Sequence, residues 1–280
     1  MAPPSDMGPV GTLDIHSVDN TTSFDSQLQA DLAFNEKIAA DIVAPRTEEI
    51  ALEVNGATTD GPPRTICVFC GASSGNSPVY MEAARNLAKA LHKHNIKLVY
   101  GGGTVGLMGE VARTLVSLSG PNSVHGIIPE PLVVFEQGPD SKAPSSNGGK
   151  HGVPDEATYG KTTVVDDMHT RKQMMAQAVM NGGPGSGFIA LPGGYGTLEE
   201  LMEVVTWNQL GIHGRGTIVL NIEGYWDGLL SWVDNSISAG FVRETNRNII
   251  VPAKTAEEAV DFLSDYKPTD GRFKLAWKTL

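Results

Sequence analysis

The segment Pro192 to Thr197 reads PGGYGT and directly follows an apolar run that ends at Leu191. Glycines let backbone amides turn towards a ligand, and the positive end of a helix that begins there favours an anion. The pattern predicts a phosphate site formed by Gly193, Gly194, Tyr195, Gly196 and Thr197. Local sequence supports an alternative equally well, because Thr197 and Glu200 also fit a capping box in which both side chains satisfy free helix amides.

A second candidate lies on a helix predicted to begin near Asp167, where Met168, Arg171 and Met175 share one face. An arginine that is buried on such a face needs an anion. The alternative is the ordinary behaviour of these residue types, with Arg171 and Lys172 as solvated cations and the methionines as core filler. The helix follows the carboxyl end of a predicted strand, which favours the functional interpretation.

Two further glycine-rich turns follow apolar runs. Gly101 to Gly106 fits the GxGxxG template, which is a weak signal on its own, and no acidic residue stands at a strand end where a dinucleotide ribose would need it. We therefore predict close approach of Gly102, Gly103 and Thr104 to a mononucleotide. The Gly71 to Gly75 turn, with the hydroxyl of Ser73, suits the same role, although a plain turn is nearly as compatible.

The elements that must position these residues are predicted from seven short apolar runs that alternate with helical stretches. This βαβ rhythm indicates an α/β fold, a Rossmann-like, doubly wound and mainly parallel sheet, which binds ligands beyond the carboxyl ends of its strands. The glycine-rich turns follow the first, second and fifth runs. The runs are Ile66–Phe69, Leu98–Tyr100, Val124–Ile128, Thr163–Val165, Phe188–Leu191, Ile218–Asn221 and Ile249–Val251.

The chain is predicted to divide into an N-terminal extension, residues 1–62, and a nucleotide-binding catalytic domain, residues 63–280. Residues 1–22 are rich in proline, glycine, serine and threonine and are expected to be disordered, whereas residues 24–43 show helical periodicity. Residues 136–160 are too long for a tight connection and are predicted to form a mobile surface loop.

Composition narrows the function. The formal charge of −11 and the pI near 5.0 argue against nucleic acid and anionic membrane surfaces as partners. The two cysteines, Cys67 and Cys70, fall on a predicted strand that directs them to opposite faces, so we expect packing rather than a redox pair or a metal site. With no signal-peptide or membrane-spanning pattern recognised, a cytoplasmic protein without metal or cofactor is expected.

Two separated motifs together resemble the LONELY GUY family, the cytokinin riboside 5′-monophosphate phosphoribohydrolases. They are Pro-Gly-Gly-x-Gly-Thr-x-x-Glu at residues 192–200 and Met-His-x-Arg-Lys at residues 168–172. Supporting matches include the Phe69 to Ser73 turn and the Thr206 to Gly211 segment. The likeness covers about residues 64–266. Thr170, in place of a more usual glutamate or glutamine, the long 136–160 loop and the extension depart from the common pattern.

The resemblance implies a Rossmann-like hydrolase that forms dimers or larger assemblies. Its reaction is hydrolysis of the N-glycosidic bond of a nucleoside 5′-monophosphate, with release of the base and ribose 5-phosphate. It further implies that Arg171 and Glu200 are the catalytic pair, that Met168 packs against the base and that Lys172 belongs to the substrate-binding motif.

Three rival functions stay open at this stage. A non-catalytic nucleotide-binding or carrier protein would share the phosphate site, and an NAD-dependent oxidoreductase would use Gly101 to Gly106. Members of the family have also carried a lysine decarboxylase label. That chemistry needs pyridoxal phosphate on a lysine, and no lysine here lies in a convincing cofactor context.

Overall fold

The computed structural model describes residues 61–133 and 153–277. Strands and helices alternate along these residues. The elements in chain order are β1 (Thr65–Phe69), α1 (Pro78–Lys93), β2 (Lys97–Tyr100), α2 (Gly106–Ser119), β3 (Val124–Pro129), α3 (Glu156–Tyr159), β4 (Lys161–Val165), α4 (Met168–Met180), β5 (Gly187–Ala190), α5 (Tyr195–Gln209), β6 (Gly216–Leu220), α6 (Asp227–Ser238), β7 (Ile250–Ala253) and α7 (Ala256–Asp265).

The seven strands form one sheet in the order β4-β3-β2-β1-β5-β6-β7, and every pairing in it is parallel. All seven predicted strands are confirmed. The chain runs outward from β1 to β4 and then returns to place β5 beside β1. The strand order therefore reverses between β1 and β5, which is where ligands bind in open α/β sheets.

Helices cover both faces of the sheet, so its strands are apolar on both sides. In β1, Ile66 and Val68 pack on the face covered by α1, α2 and α7, whereas Cys67 and Phe69 pack on the face covered by α4, α5 and α6. Cys70, just after the strand, lies on the opposite side from Cys67. Both cysteines are buried, and neither forms a disulfide. The packing role predicted for them is confirmed.

The predicted loop at 136–160 is partly wrong. Residues 134–152 lie outside the described part of the chain, but Glu156–Tyr159 form one helical turn, and Tyr159 packs on the core. These four residues are too few to show a helical period in the sequence. The extension and its helix near 24–43 lie outside the described residues. Within the described ranges, no helix is both long and apolar enough to span a bilayer.

Candidate functional site

A cavity of about 580 Å³ opens at the carboxyl ends of β1 and β5, where the strand order reverses. The turns that follow these two strands meet there, since the Gly71 amide donates to the Pro192 carbonyl at 3.0 Å. The start of α2 closes one side, because the amides of Leu107 and Met108 both donate to the Gly71 carbonyl. The turns after β1 and β5 and the start of α2 thus meet around one cavity.

Arg171 reaches this cavity from the first turn of α4. Asp167 caps that helix and accepts hydrogen bonds from the His169 and Thr170 amides at 2.7 and 2.9 Å. The Arg171 guanidinium is buried, and it donates from Nε to the Ile127 carbonyl at 3.1 Å and from Nη2 to the Gly101 carbonyl at 3.3 Å. Two backbone carbonyls therefore fix the guanidinium, which leaves Nη1 to face the cavity.

Gly101 is required for this arrangement. A methyl group on its Cα would overlap Nη2 of Arg171 and would crowd the sulfur of Met108. Gly106, whose φ of +59° lies in the left-handed region, stands where a side chain would collide with the backbone of Ala72 and Ser73. The glycines of the 101–106 loop therefore serve close packing around the cavity.

Glu200 lies on α5 and meets Arg171 at the floor of the cavity, with Oε1 at 3.1 Å from Nη1. Both side chains are buried. Burial raises the pKa of Glu200 to about 7, because the loss of solvation outweighs the favourable charge of Arg171. Such a carboxyl group exchanges a proton near neutral pH, as a general acid or base must.

The predicted phosphate site, residues 192–197, lies at the start of α5. The helix begins at Tyr195, its N-cap is Gly194, and no side chain caps it. The capping-box interpretation is therefore wrong: Thr197 is buried inside the first turn, and Glu200 is turned towards Arg171. The first-turn amides of a helix lack intrahelical partners, so this end of α5 offers free donors and a positive dipole at the cavity.

The predicted site residues separate into two groups. The cavity lining includes Ser73, Met168, Arg171, Gly193, Gly194, Gly196, Thr197 and Glu200. It does not include Gly102, Gly103, Thr104, Lys172 or Tyr195. Gly102 and Gly103 are buried in the loop after β2, and the Tyr195 side chain is 95% exposed beside a neighbouring cavity.

Two aromatic residues that the sequence analysis missed also line the cavity. Tyr80 stands at the start of α1, and Tyr225 follows β6, with ring centroids 6.0 Å apart in an edge-to-face arrangement. The Tyr225 hydroxyl donates to the Gly193 carbonyl and so links the 192–197 turn to the connection that follows β6. A usable signal was present, because Tyr225 lies beyond the carboxyl end of a predicted strand, the edge at which ligands bind.

Comparisons with known proteins agree on one family. A family model described as "possible lysine decarboxylase" matches residues 108–263. The "cytokinin riboside 5′-monophosphate phosphoribohydrolase LOG3" of Arabidopsis thaliana is 44% identical over 217 residues, which cover 77% of this chain and 89% of that protein. A "bifunctional cytokinin biosynthesis protein" of Fusarium pseudograminearum is 54% identical over 207 residues, which cover 74% of this chain but only 41% of that longer protein.

Among solved structures, the Moco carrier protein from Chlamydomonas reinhardtii matches with a TM-score of 0.48 and 17% identity, over 72% of this chain and 96% of that chain.

Proposed function

The chain belongs to the cytokinin riboside 5′-monophosphate phosphoribohydrolase family, and we propose on this premise that it hydrolyses the N-glycosidic bond of N6-substituted adenosine monophosphates. The products are the free base and ribose 5-phosphate, so the reaction activates a cytokinin. The observation that carries the proposal is the buried pair of Arg171 and Glu200 at the floor of a cavity whose wall is the amino end of α5.

In this proposal the phosphate binds at the start of α5. The amides of Gly193 to Thr197 and the Thr197 hydroxyl supply donors, and the helix dipole adds a positive potential. No lysine or arginine is needed for this step. A phosphate fixed at this wall places the ribose over the cavity floor and so holds the anomeric carbon near Glu200, which lowers the entropic cost of reaction.

Glu200 then supports bond cleavage. Breaking an N-glycosidic bond passes through an oxocarbenium-like sugar, and a nearby carboxylate stabilises that charge or takes a proton from the attacking water. A pKa of about 7 keeps a large share of the Glu200 side chains ionised at neutral pH while leaving them basic enough to accept a proton. Arg171 orients the carboxylate through its Nη1 group, and Met168 offers an apolar surface for the base.

We also propose that the protein assembles as a homodimer or a larger oligomer built from dimers. A second, apolar cavity of about 630 Å³ adjoins the first, with Tyr195, Leu198, Met202 and Trp232 in its wall. Half of the Trp232 side chain is exposed. Such an apolar surface is typical of an interface. Sedimentation should give at least twice the chain mass of 29.7 kDa, and Trp232→Glu should reduce it; a wild-type monomer would contradict the proposal.

A cytoplasmic location completes the proposal. Its support is that neither Cys67 nor Cys70 forms a disulfide, which is ordinary for a reducing compartment. Microscopy of the fluorescently tagged full chain checks this, and enrichment in an organelle would contradict it.

The reaction is tested by product analysis. Purified protein is incubated with isopentenyladenosine 5′-monophosphate, with the same riboside lacking phosphate, and with AMP, and the free base and ribose 5-phosphate are quantified. Glu200→Gln keeps the side-chain shape but removes the charge. Glu156→Gln makes the same change on the exposed turn of α3 and serves as the matched control.

The expected result is release of base from the substituted monophosphate alone, unchanged in Glu156→Gln and lost in Glu200→Gln, with nucleotide binding retained. Base release by Glu200→Gln at the wild-type rate would remove Glu200 from the mechanism. Tight binding of nucleotide without any release by the wild-type protein would instead favour a carrier.

A further inference from the structure

Lys172 follows Arg171 on α4, but it contacts a different part of α5. Its Nζ atom lies 2.5 Å from Oε1 of Glu199 and 3.2 Å from Oε1 of Glu203. The Lys172 side chain is only 12% exposed, and it is absent from the cavity lining. To bind a substrate phosphate, this ammonium group would have to break its ion pairs with Glu199 and Glu203.

Three carboxylates, those of Glu199, Glu200 and Glu203, lie within five consecutive residues of α5. Glu199 and Glu203 are four residues apart and therefore share a helix face, with Glu200 beside them. Within the described residues, Arg171 and Lys172 are the cations on α4 that form ion pairs with this cluster, and each contacts its own carboxylate partners. Without Lys172 the two outer carboxylates would stand uncompensated next to Glu200.

We propose that Lys172 is a positioning residue, which offsets part of the negative charge of Glu199 and Glu203 and thereby helps to keep the Glu200 carboxylate ionised and directed at Arg171. This inference concerns the proposed hydrolysis reaction, and its kinetic test rests on that proposed function. The role differs from direct substrate binding, which the family motif by itself would imply for Lys172.

The electrostatic surroundings of Glu200 support this role. Burial raises its pKa most, Arg171 opposes that rise, and then Glu199 and Glu203 raise the pKa while Lys172 lowers it. The Cys67 thiol on β1 also interacts with the charges of Glu200 and Arg171, and burial raises its own pKa well above the usual value, so it stays neutral. Loss of Lys172 therefore acts in one direction, towards a protonated Glu200.

The test compares Lys172→Met, which keeps length but not charge, with the triple variant Lys172→Met/Glu199→Gln/Glu203→Gln, which removes the repelling carboxylates as well. In Lys172→Met the acidic limb of the kcat profile should move up by about one pH unit, so kcat at pH 7 falls about fivefold while KM changes little. The triple variant should bring the limb back to the wild-type position or slightly below it, because it removes two negative charges and one positive charge.

A second readout does not depend on turnover. The side-chain carboxyl carbons of glutamate are labelled with carbon-13 and titrated by NMR, with the Glu200 signal assigned through Glu200→Gln. Its titration midpoint should rise in Lys172→Met and should fall in the triple variant to the wild-type value or slightly below it. If Lys172→Met does not fold, Glu199→Gln/Glu203→Gln in the wild-type background should move the midpoint the other way, to lower pH.

The outcomes are distinguishable. A raised KM with an unmoved pH profile and an unmoved NMR midpoint would overturn the proposal and make Lys172 a substrate ligand. Failure of the triple variant to restore the midpoint would overturn it as well. If the wild-type protein releases no base, the proposed hydrolase fails, but the NMR titration still decides whether Lys172 controls the charge of Glu200.

Discussion

Replacing Glu200 with glutamine should make the folded chain more stable, and increasingly so as the pH rises. The carboxyl group has an ordinary pKa of 4.5, and burial raises it to about 7 in the folded protein. Between these values the folded chain holds a proton that the unfolded chain has released, so wild-type stability falls with rising pH. The cost is absent below pH 4.5 and complete above pH 7, where it reaches about 3 kcal/mol.

The assay is urea unfolding of wild type and Glu200→Gln at pH 5, 6, 7 and 8, with linear extrapolation to water. The variant's advantage in unfolding free energy should grow by about 2 to 3 kcal/mol from pH 5 to pH 8, whereas Glu156→Gln should track wild type. The difference between proteins cancels the other titrating groups. An advantage that stays constant or shrinks would mean that the ion pair with Arg171 outweighs burial, which would refute the reasoning.

Two further predictions concern Gly101, which lies against Arg171, and the buried His213. Gly101→Ala should lower kcat about a hundredfold while the protein stays folded, because the added methyl displaces Arg171. The control, Gly228→Ala on α6, adds a methyl that meets no atom and should leave kcat unchanged. Equal base release by both variants would contradict this prediction. Burial lowers the pKa of His213 to about 4, so wild-type stability should fall as pH drops from 6.5, by about 2 to 3 kcal/mol at pH 4.5. His213→Asn should lose that acid slope in urea unfolding, and retention of the slope would place its cause elsewhere.

The sequence predicted the sheet well because each strand is a short apolar run between glycine-rich breaks. In a parallel sheet both faces are covered, so the runs are continuous and easy to find. The edge of the sheet that holds the cavity followed from the same logic, since glycines after three of the runs had to meet there. Helical residues 156–159 escaped because one turn is too short to show a period.

The side-chain partners could not be predicted in the same way, because each depends on groups far apart in the chain. Thr197 and Glu200 satisfied a capping rule based on three-residue spacing, yet Arg171 took the carboxylate instead. The local sequence does not distinguish a Glu200 that accepts from a helix amide from a Glu200 that pairs with a cation, since either interaction satisfies the carboxylate. The carbonyls of Gly101 and Ile127 hold the guanidinium where it meets Glu200, and these residues are far from Glu200 in the chain.

The same reasoning separates Arg171 from Lys172, although the two cations are neighbours in one motif. Successive residues on a helix point about 100° apart. Arg171 therefore faces the cavity, while Lys172 meets Glu199 and Glu203 on α5. Arg171 donates to fixed backbone carbonyls and to one carboxylate, whereas Lys172 forms ion pairs with two carboxylates, Glu199 and Glu203. A motif of adjacent cations therefore divides into a residue that touches the reacting carboxylate and a residue that sets its charge.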